Sequence, residues 1–269
     1  MSRGLTADTS VPSPFFFRDA MSQTAEPSSP SRIELCLLGG YELRGAGPAG
    51  AAVLSQSKPL ALLAFLALSP DGRFQRRDRL VGLLWPELDQ AHARAALRKA
   101  LHDLRTALGP HVITSHGDDE IALTPQTVHC DAVDFTAAVE KGQLLHALEL
   151  YHGDFMPGFY LSGCVDFERW VEDERTVARE RAAAASWALA VRLEGEQQLT
   201  KAGSMARRAV RHAWSDERVL RRAMGLLDRL GDRAGAIKMF DEFAGRLRAD
   251  LDVEPSSETI ALANTIRSH

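Results

Sequence analysis

The chain has 269 residues, a formal net charge of −4, 45% hydrophobic and 25% charged residues, and three cysteines. This length accommodates two domains of ordinary size, and the composition is typical of a globular protein rich in helix formers. The widely spaced cysteines indicate neither a disulfide framework nor a zinc site and fit a reducing cytosol. No run of about 18 apolar residues is present to span a membrane, and the negative charge requires any nucleic-acid surface to be local.

The first 50 residues predict a leader and a small sheet. Residues 1–31 are rich in Ser, Pro and Thr without a hydrophobic period, which predicts a disordered leader. Residues 33–43 (IELCLLGGYEL) predict two strands broken at Gly39 and Gly40, followed by a loop to about Gly50. Residues 45–50 satisfy GxGxxG, but Pro48 lacks an amide hydrogen and no helix is expected at Gly50, so we predict no dinucleotide site.

Three helices are predicted next. An apolar run over residues 60–68 follows Ser57, a candidate N-cap, and Pro59, which a first helical turn tolerates; it stops at the Ser-Pro-Asp-Gly turn of residues 69–72. After a short extended piece, residues 77–84 predict a second helix that ends before Pro86. Asp89 is the predicted N-cap of a third helix over residues 90–108.

A hairpin completes the first domain. Two β-rich runs, residues 112–114 and 120–123, flank a turn that contains Gly117. A sheet, three helices and a terminal hairpin together predict a winged helix-turn-helix over residues 32–127. This order of elements is the one that a winged DNA-binding domain requires.

The second domain is predicted over residues 128–269, and from Asp131 to the end almost all of it is predicted to be amphipathic helix. Its amphipathic segments are interrupted near residues 142, 153–163, 195, 214–216, 231 and 255. Ala202 and Ala209 recur 34 residues later as Ala236 and Phe243, which is the tetratricopeptide period. The repeat is degenerate, because Trp214 stands where the first repeat would normally end in proline. The predicted fold class is mostly α with a small β component, a winged helix-turn-helix followed by an all-α tetratricopeptide-like domain.

The third helix is the predicted recognition helix. At about 100° per residue its leucines form one apolar seam, and basic residues are segregated beside it. Between residues 58 and 105 there are nine Lys or Arg against five Asp or Glu. The positions of these residues around the helix would by themselves indicate an ordinary solvated basic flank. The hairpin that follows favours contact with double-stranded DNA instead. The candidate DNA-binding residues are Arg94, Arg98, Lys99, His102 and Arg105 on this helix, Arg76 and Arg77 at the second helix, and Lys58 at the first.

These residues also carry a family resemblance. The order of elements resembles the OmpR-type winged helix, and residues 76–109 are similar to the second and third helices of SARP-like transcriptional activators. Residues 147–159, 166–175 and 247–262 are similar to the bacterial transcriptional activation domain of the same family, so the resemblance covers about residues 32–266. It implies a cytoplasmic activator that binds short direct repeats as a pair of protomers and recruits RNA polymerase. The alanine-rich third helix leaves the operator sequence open.

Catalytic chemistry is not predicted. The sequence contains no P-loop, HExxH or GxSxG motif and no Cys/His pair, and the acidic run at residues 166–174 is interleaved with arginine as on a salt-bridged surface. We therefore expect no enzyme, cofactor or metal; the larger family members add a nucleotide-binding domain, and this chain ends before one. Two alternatives remain: an adaptor whose helices bind a protein while the winged helix does not bind DNA, and a helical domain whose concave face binds a small ligand.

Overall fold

The structure is a computed structural model that describes residues 33–69 and 73–268; the predicted leader and most of the turn at residues 69–72 lie outside the described residues. The winged half contains nine elements among these residues. They are β1 (Ile33–Cys36), β2 (Glu42–Arg44), α1 (Gly47–Leu54), α2 (Ser57–Ala67), β3 (Gln75–Arg76), α3 (Arg77–Leu84), α4 (Gln90–Leu108), β4 (Ile113–His116) and β5 (Glu120–Leu123).

The remaining elements are one strand and a succession of helices. They are β6 (Val128–Cys130), α5 (Asp131–Glu140), α6 (Leu144–Leu150), α7 (Val165–Gly195), α8 (Leu199–His212), α9 (Glu217–Arg229), α10 (Arg233–Leu251) and α11 (Ser257–Ser268). The predicted fold class is confirmed: a winged helix is followed by an all-α tetratricopeptide-like domain, and helix dominates. The helical breaks fall where glycine, proline and polar turns predicted them.

Two small sheets frame the helices of the winged half. Strands β4 and β5 form the predicted hairpin, with Ile113 opposite Leu123, and β3 adds to its other edge in the order β3-β5-β4. The other sheet has the order β2-β1-β6, in which β1 runs antiparallel to β2 and parallel to β6. Because β6 lies just after the predicted domain boundary at residues 127/128, this sheet joins strands from both sides of that boundary.

Two local predictions were wrong, and one strand was not predicted. The segment expected to be a loop up to Gly50 contains α1, in which Val53 is buried; packing stabilises this helix although its composition is poor in helix signals. Ser57 is the first residue of α2 and not its cap, because the N-cap position is Gln56 and no side chain caps the helix. Strand β6 was not predicted, since its three residues pair with a strand almost a hundred residues away.

One hydrophobic core runs through the winged half and into the helices that follow. It contains Leu35 of β1, Leu62 of α2, Leu104 of α4, Phe135 of α5 and Phe167 of α7, each at most 1% exposed. A second core lies among α8–α11 and includes Leu220, Met224, Phe240 and Phe243. The helix α7 contacts both, because Phe167 and Val171 in its first turns belong to the first core and Ala190 near its end belongs to the second.

Backbone hydrogen bonds close the joint around β1. Met156 donates its amide hydrogen to the Leu37 carbonyl at 2.7 Å, and Gly39 donates to the Asp154 carbonyl at 2.8 Å. The Asp131 carboxylate accepts from the amides of Leu37 (2.7 Å) and Leu38 (3.0 Å), and burial raises the pKa of this carboxyl group. The segment after β1 therefore has backbone partners in the second half of the chain.

Gly39 allows the segment after β1 to lie close to the backbone of His152. Its φ of +88° is one that residues with a Cβ rarely adopt, and a Cβ there would lie 2.9 Å from the carbonyl carbon of His152. We predict that Gly39→Ala lowers the free energy of unfolding by about 1–3 kcal/mol more than Gly142→Ala does. Gly142 has a φ of +68° with open space around it, so this control carries the backbone cost without the clash. Urea unfolding measures both, and equal losses would contradict the prediction.

The contacts of His212 predict an acid-sensitive joint between α6 and α8. Arg208 donates to the carbonyls of Leu148 (2.7 Å) and Tyr151 (3.2 Å) at the end of α6, and to His212 Nε2 at 3.3 Å. The imidazole packs edge-on against the Tyr151 ring, 4.9 Å between centroids. Burial, followed by the positive charges of Arg208 and Arg211, lowers the pKa of His212 from 6.5 to about 4.

The native state therefore takes up this proton at lower pH than the unfolded chain. The contribution of the neutral imidazole to stability is fully present above pH 6.5 and is lost as the pH falls towards about 4. We predict that His212→Gln flattens the dependence of the melting temperature on pH across this window, whereas the same change at exposed His111 leaves it unaltered. The prediction is contradicted if the melting temperatures of wild type and His212→Gln change with pH to the same extent.

Candidate nucleic-acid interface

The recognition helix α4 is held by a local cap and an apolar inner face. The Asp89 carboxylate accepts from the amides of Ala91 (3.0 Å) and His92 (3.1 Å), and these bonds and the His92 side chain lower the pKa of Asp89. The helix ends at Gly109, whose φ of +108° stops it. Four leucines of the predicted seam are buried against α1, α2 and α3. They are Leu97, Leu101, Leu104 and Leu108.

The outer face of α4 borders a cleft of about 1060 Å³ between α4, the start of α3 and the β4–β5 turn, which we call the helix–wing cleft. Five of the eight candidate DNA-binding residues line it, and all five are arginines. Four carboxylates also line it, together with two seam leucines and two residues of the turn. The arginines are Arg76, Arg77, Arg94, Arg98 and Arg105, the acids Asp78, Asp118, Asp119 and Glu120, and the others Leu97, Leu101, His116 and Gly117.

The arginines differ in how the fold already uses them. Arg98 is exposed, and among residues 33–69 and 73–268 no hydrogen bond or ion pair of its side chain is found. Arg94 forms an ion pair with Asp78 of α3 at 2.9 Å; both side chains are about half exposed or more. The guanidinium of Arg98 is therefore available to an incoming anion, and that of Arg94 is held in place at the same wall.

Arg77 and Arg105 tie the hairpin to the helices. The Arg77 amide donates to the Asp119 carbonyl at 2.8 Å, which fixes the β4–β5 turn to the start of α3. Arg105 donates to the Ile113 carbonyl at 3.3 Å, and both guanidinium groups reach the Ser115 hydroxyl. These two side chains shape the cleft as well as contributing charge to it.

Charge is divided between the two sides of the cleft. Helices α3 and α4 contribute four of the arginines and one acid, Asp78, whereas Arg76 belongs to β3, opposite Glu120, and the turn and β5 contribute the other three acids. The Glu120 carboxylate lies 3.3 Å from His116 Nδ1. An anionic ligand is therefore attracted to the helical wall and repelled by the turn. The sequence reasoning missed this division, although the run His-Gly-Asp-Asp-Glu at residues 116–120 contained the signal.

The remaining three candidates lie outside the lining of the cleft. Lys99 forms an ion pair with Asp103 at 2.7 Å, one helical turn along the other flank of α4. His102 is exposed on α4, one turn after Arg98. Lys58 lies elsewhere: its ammonium donates to the Leu84 carbonyl and contacts Cys164 Sγ at 3.2 Å, at the junction with α7. A phosphate contact by Lys58 stays a prediction, and in the structure that nitrogen has partners within the fold.

Other kinds of site find little support in the described residues. Within residues 33–69 and 73–268 there is no group of three or more His, Cys, Asp or Glu placed to hold a metal. The acidic run on α7 forms ion pairs of Asp166 with Arg169 and of Glu172 with Arg175 and Arg179. In the same residues no single helix is long and apolar enough to cross a membrane; α1 and α2 reach that length only together, across a bend of 102°.

Comparison with known proteins connects this architecture to a regulatory family. The bacterial transcriptional activator domain matches residues 129–267. The solved structure of Mycobacterium tuberculosis EmbR in complex with a low-affinity phosphopeptide is similar in fold, with a TM-score of 0.59 and 21% sequence identity over 88% of this chain. The chain spans 65% of the length of that EmbR chain. No curated protein sequence matches significantly.

Proposed function

Because the chain belongs to the family defined by the bacterial transcriptional activator domain, we propose that it activates transcription by binding duplex DNA through the helix–wing cleft. The match confirms the resemblance to SARP-like transcriptional activators; such a regulator is not an enzyme. Binding of DNA by the winged half is the part that we propose here. The observation that supports it is the row of arginines on the outer face of a helix whose inner face is buried.

Arginine at these positions suits both parts of DNA recognition. Phosphate contacts position a protein on the duplex, and bidentate guanidinium contacts to the O6 and N7 atoms of guanine read sequence in the major groove. Arg98 and His102 are exposed one helical turn apart on α4. We assign base contacts to these two residues and phosphate contacts to Arg76, Arg77 and Arg94, because the latter three lie on the wall nearest the start of α3.

The acidic turn sets the direction of docking. Asp118 and Asp119 would face phosphate unfavourably, so the sugar-phosphate backbone follows the helical wall of the cleft and not the hairpin tip. In this arrangement the hairpin supports α4 through Arg77 and Arg105 and contributes little to affinity itself. Lys99 makes at most a peripheral phosphate contact, since its ammonium already pairs with Asp103.

The resemblance to SARP-like activators supplies the rest of the proposal. Two protomers bind adjacent direct repeats in the cytoplasm, and the helical half contacts RNA polymerase. The adaptor alternative keeps the helical half as a protein-binding module and removes DNA from the winged half. The free guanidinium of Arg98 favours the DNA-binding hypothesis, because a solvated structural arginine on this surface pairs with a carboxylate, as Arg94 does.

Removal of two arginines tests the cleft directly. We expect Arg94→Ala with Arg98→Ala to weaken binding to genomic duplex fragments and to reduce the slope of log K against log salt concentration by about one unit, for the phosphate contact assigned to Arg94, while loss of the Arg98 base contact lowers the affinity further. Gel-shift titrations across a salt series measure both quantities.

The charge-matched control is Arg218→Ala with Arg222→Ala. Both arginines are exposed on α9, and no side-chain ion pair of either is found in the described residues. This variant loses the same charge and should retain the wild-type slope. If both double variants weaken DNA binding equally, net charge and not the cleft governs binding. If neither variant differs from wild type, the adaptor alternative is favoured.

The arrangement on DNA is a separate prediction. A genome-wide footprint of the bound protein should reveal half-sites repeated in the same orientation, with centres about 10.5 base pairs or a multiple apart, so that both protomers occupy one face of the duplex. Removal of one half-site should reduce the sedimentation mass of the complex from two protomers to one. Inverted half-sites, or an unchanged mass, would contradict the direct-repeat arrangement.

A further inference from the structure

A second pocket lies in the helical half, between α8 and α10. It has a volume of about 380 Å³, and we call it the α8–α10 groove. Three apolar side chains that are 3–8% exposed form its floor, namely Val210, Met239 and Phe243. Trp214, just after the end of α8, lines it as well and is only partly buried. The groove is therefore an apolar recess with room for one or two side chains of a ligand.

Positive charge surrounds this recess. Four basic side chains line the groove against one acid, Glu242, although the chain as a whole is negative. Arg211 and Arg246 are exposed, and no hydrogen bond or ion pair of either side chain is found among residues 33–69 and 73–268. Lys238 is 3.9 Å from Glu242, a weak contact between two exposed groups. At least two cations therefore remain available at the groove.

The fourth cation is held rigidly. Arg207 pairs with Asp232, whose other carboxylate oxygen accepts from the Gly235 amide at 2.9 Å and so caps α10. A Cβ at Gly235 would collide with both the Asp232 carboxylate and the Arg207 guanidinium, so glycine leaves the space that this pair occupies. Arg207 is thus positioned at the edge of the groove before any ligand arrives, which reduces the entropy lost on binding.

We propose that the α8–α10 groove binds an acidic peptide segment of a partner protein, with one apolar side chain of the segment in the recess. Carboxylates of the segment pair with Arg211 and Arg246, and its apolar side chain contacts Met239, Phe243 and Trp214. This combination of an apolar anchor and flanking charge is how helical scaffolds commonly recognise peptides. A single-stranded nucleic acid would satisfy the cations, but the floor formed by Val210, Met239 and Phe243 offers no polar side chain to a base edge, which favours an apolar peptide side chain over a base.

The proposal does not rest on DNA binding by the winged half. The groove belongs to the second core, whereas the helix–wing cleft lies on the first. Variants in one surface should therefore leave the other folded and functional. This separation makes failure of the peptide proposal distinguishable from failure of the proposed DNA-binding function.

The test uses the full chain and a short fluorescein-labelled peptide composed of Asp, Glu, Leu and Phe, with fluorescence polarisation as the readout. Arg211→Glu with Arg246→Glu should weaken binding at least ~tenfold, because two attractive contacts become repulsive. The control is Arg218→Glu with Arg222→Glu on α9, which makes the same change of charge away from the groove and should bind like wild type. Arg94→Ala with Arg98→Ala should bind the peptide normally.

Two further measurements complete the test. Trp214→Ala should weaken peptide binding with little change in its salt dependence, because it removes apolar contact and no charge. If the reversed-charge variant fails to fold by circular dichroism, Arg211→Gln with Arg246→Gln replaces it. The proposal is overturned if the acidic peptide binds no better than the same peptide with lysine at every acid, if the α9 control loses binding equally, or if single-stranded DNA binds the groove more tightly than the peptide does.

Discussion

The core shared by the winged half and α5–α7 is the constraint on which the rest of the structure depends. It includes residues from Leu35 of β1 to Ala182 of α7, and aromatic side chains from both parts are in contact in it: the ring of Phe65 in α2 lies 5.1 Å from that of Trp170 in α7. Close packing of this kind allows few alternative arrangements. The helices that present the cleft are therefore fixed with respect to α7, and the parallel pairing of β1 with β6 carries the same constraint into the backbone.

Helix α7 transmits this order to the second core. Its 31 residues span about 46 Å at the α-helical rise, with Phe167 and Val171 in the first core and Ala190 in the second. A single uninterrupted helix joining two cores gives a defined geometry between the surfaces that each core supports. The helix–wing cleft lies on the first core and the α8–α10 groove on the second, and α7 connects the two cores.

The use of arginine distinguishes structural from available charge in this chain. Many arginines support the fold: Arg175 donates to the carbonyls of Phe155 and Met156, and Arg208 closes the end of α6. Arg98, Arg211 and Arg246 differ because each is exposed and has no partner among the described residues. In a chain with a net charge of −4, an unpaired guanidinium beside a cleft or groove is more informative than the total charge. The proposals for both surfaces follow from this contrast.

The sequence by itself determined the elements whose signals are local. Asp89, the leucine seam and Gly109 lie within or beside α4, so its bounds were predicted as observed, as was the hairpin around Gly117. Only the tertiary structure decided what depends on distant residues. The pairing of β6 with β1, the ion pair of Arg94 with Asp78, and the contact of Lys58 with Cys164, 106 positions away, have no local pattern. The helical periodicity of the sequence therefore identified the basic flank of α4. The tertiary structure decided which of those charged side chains have no partner within the fold and are available to a ligand.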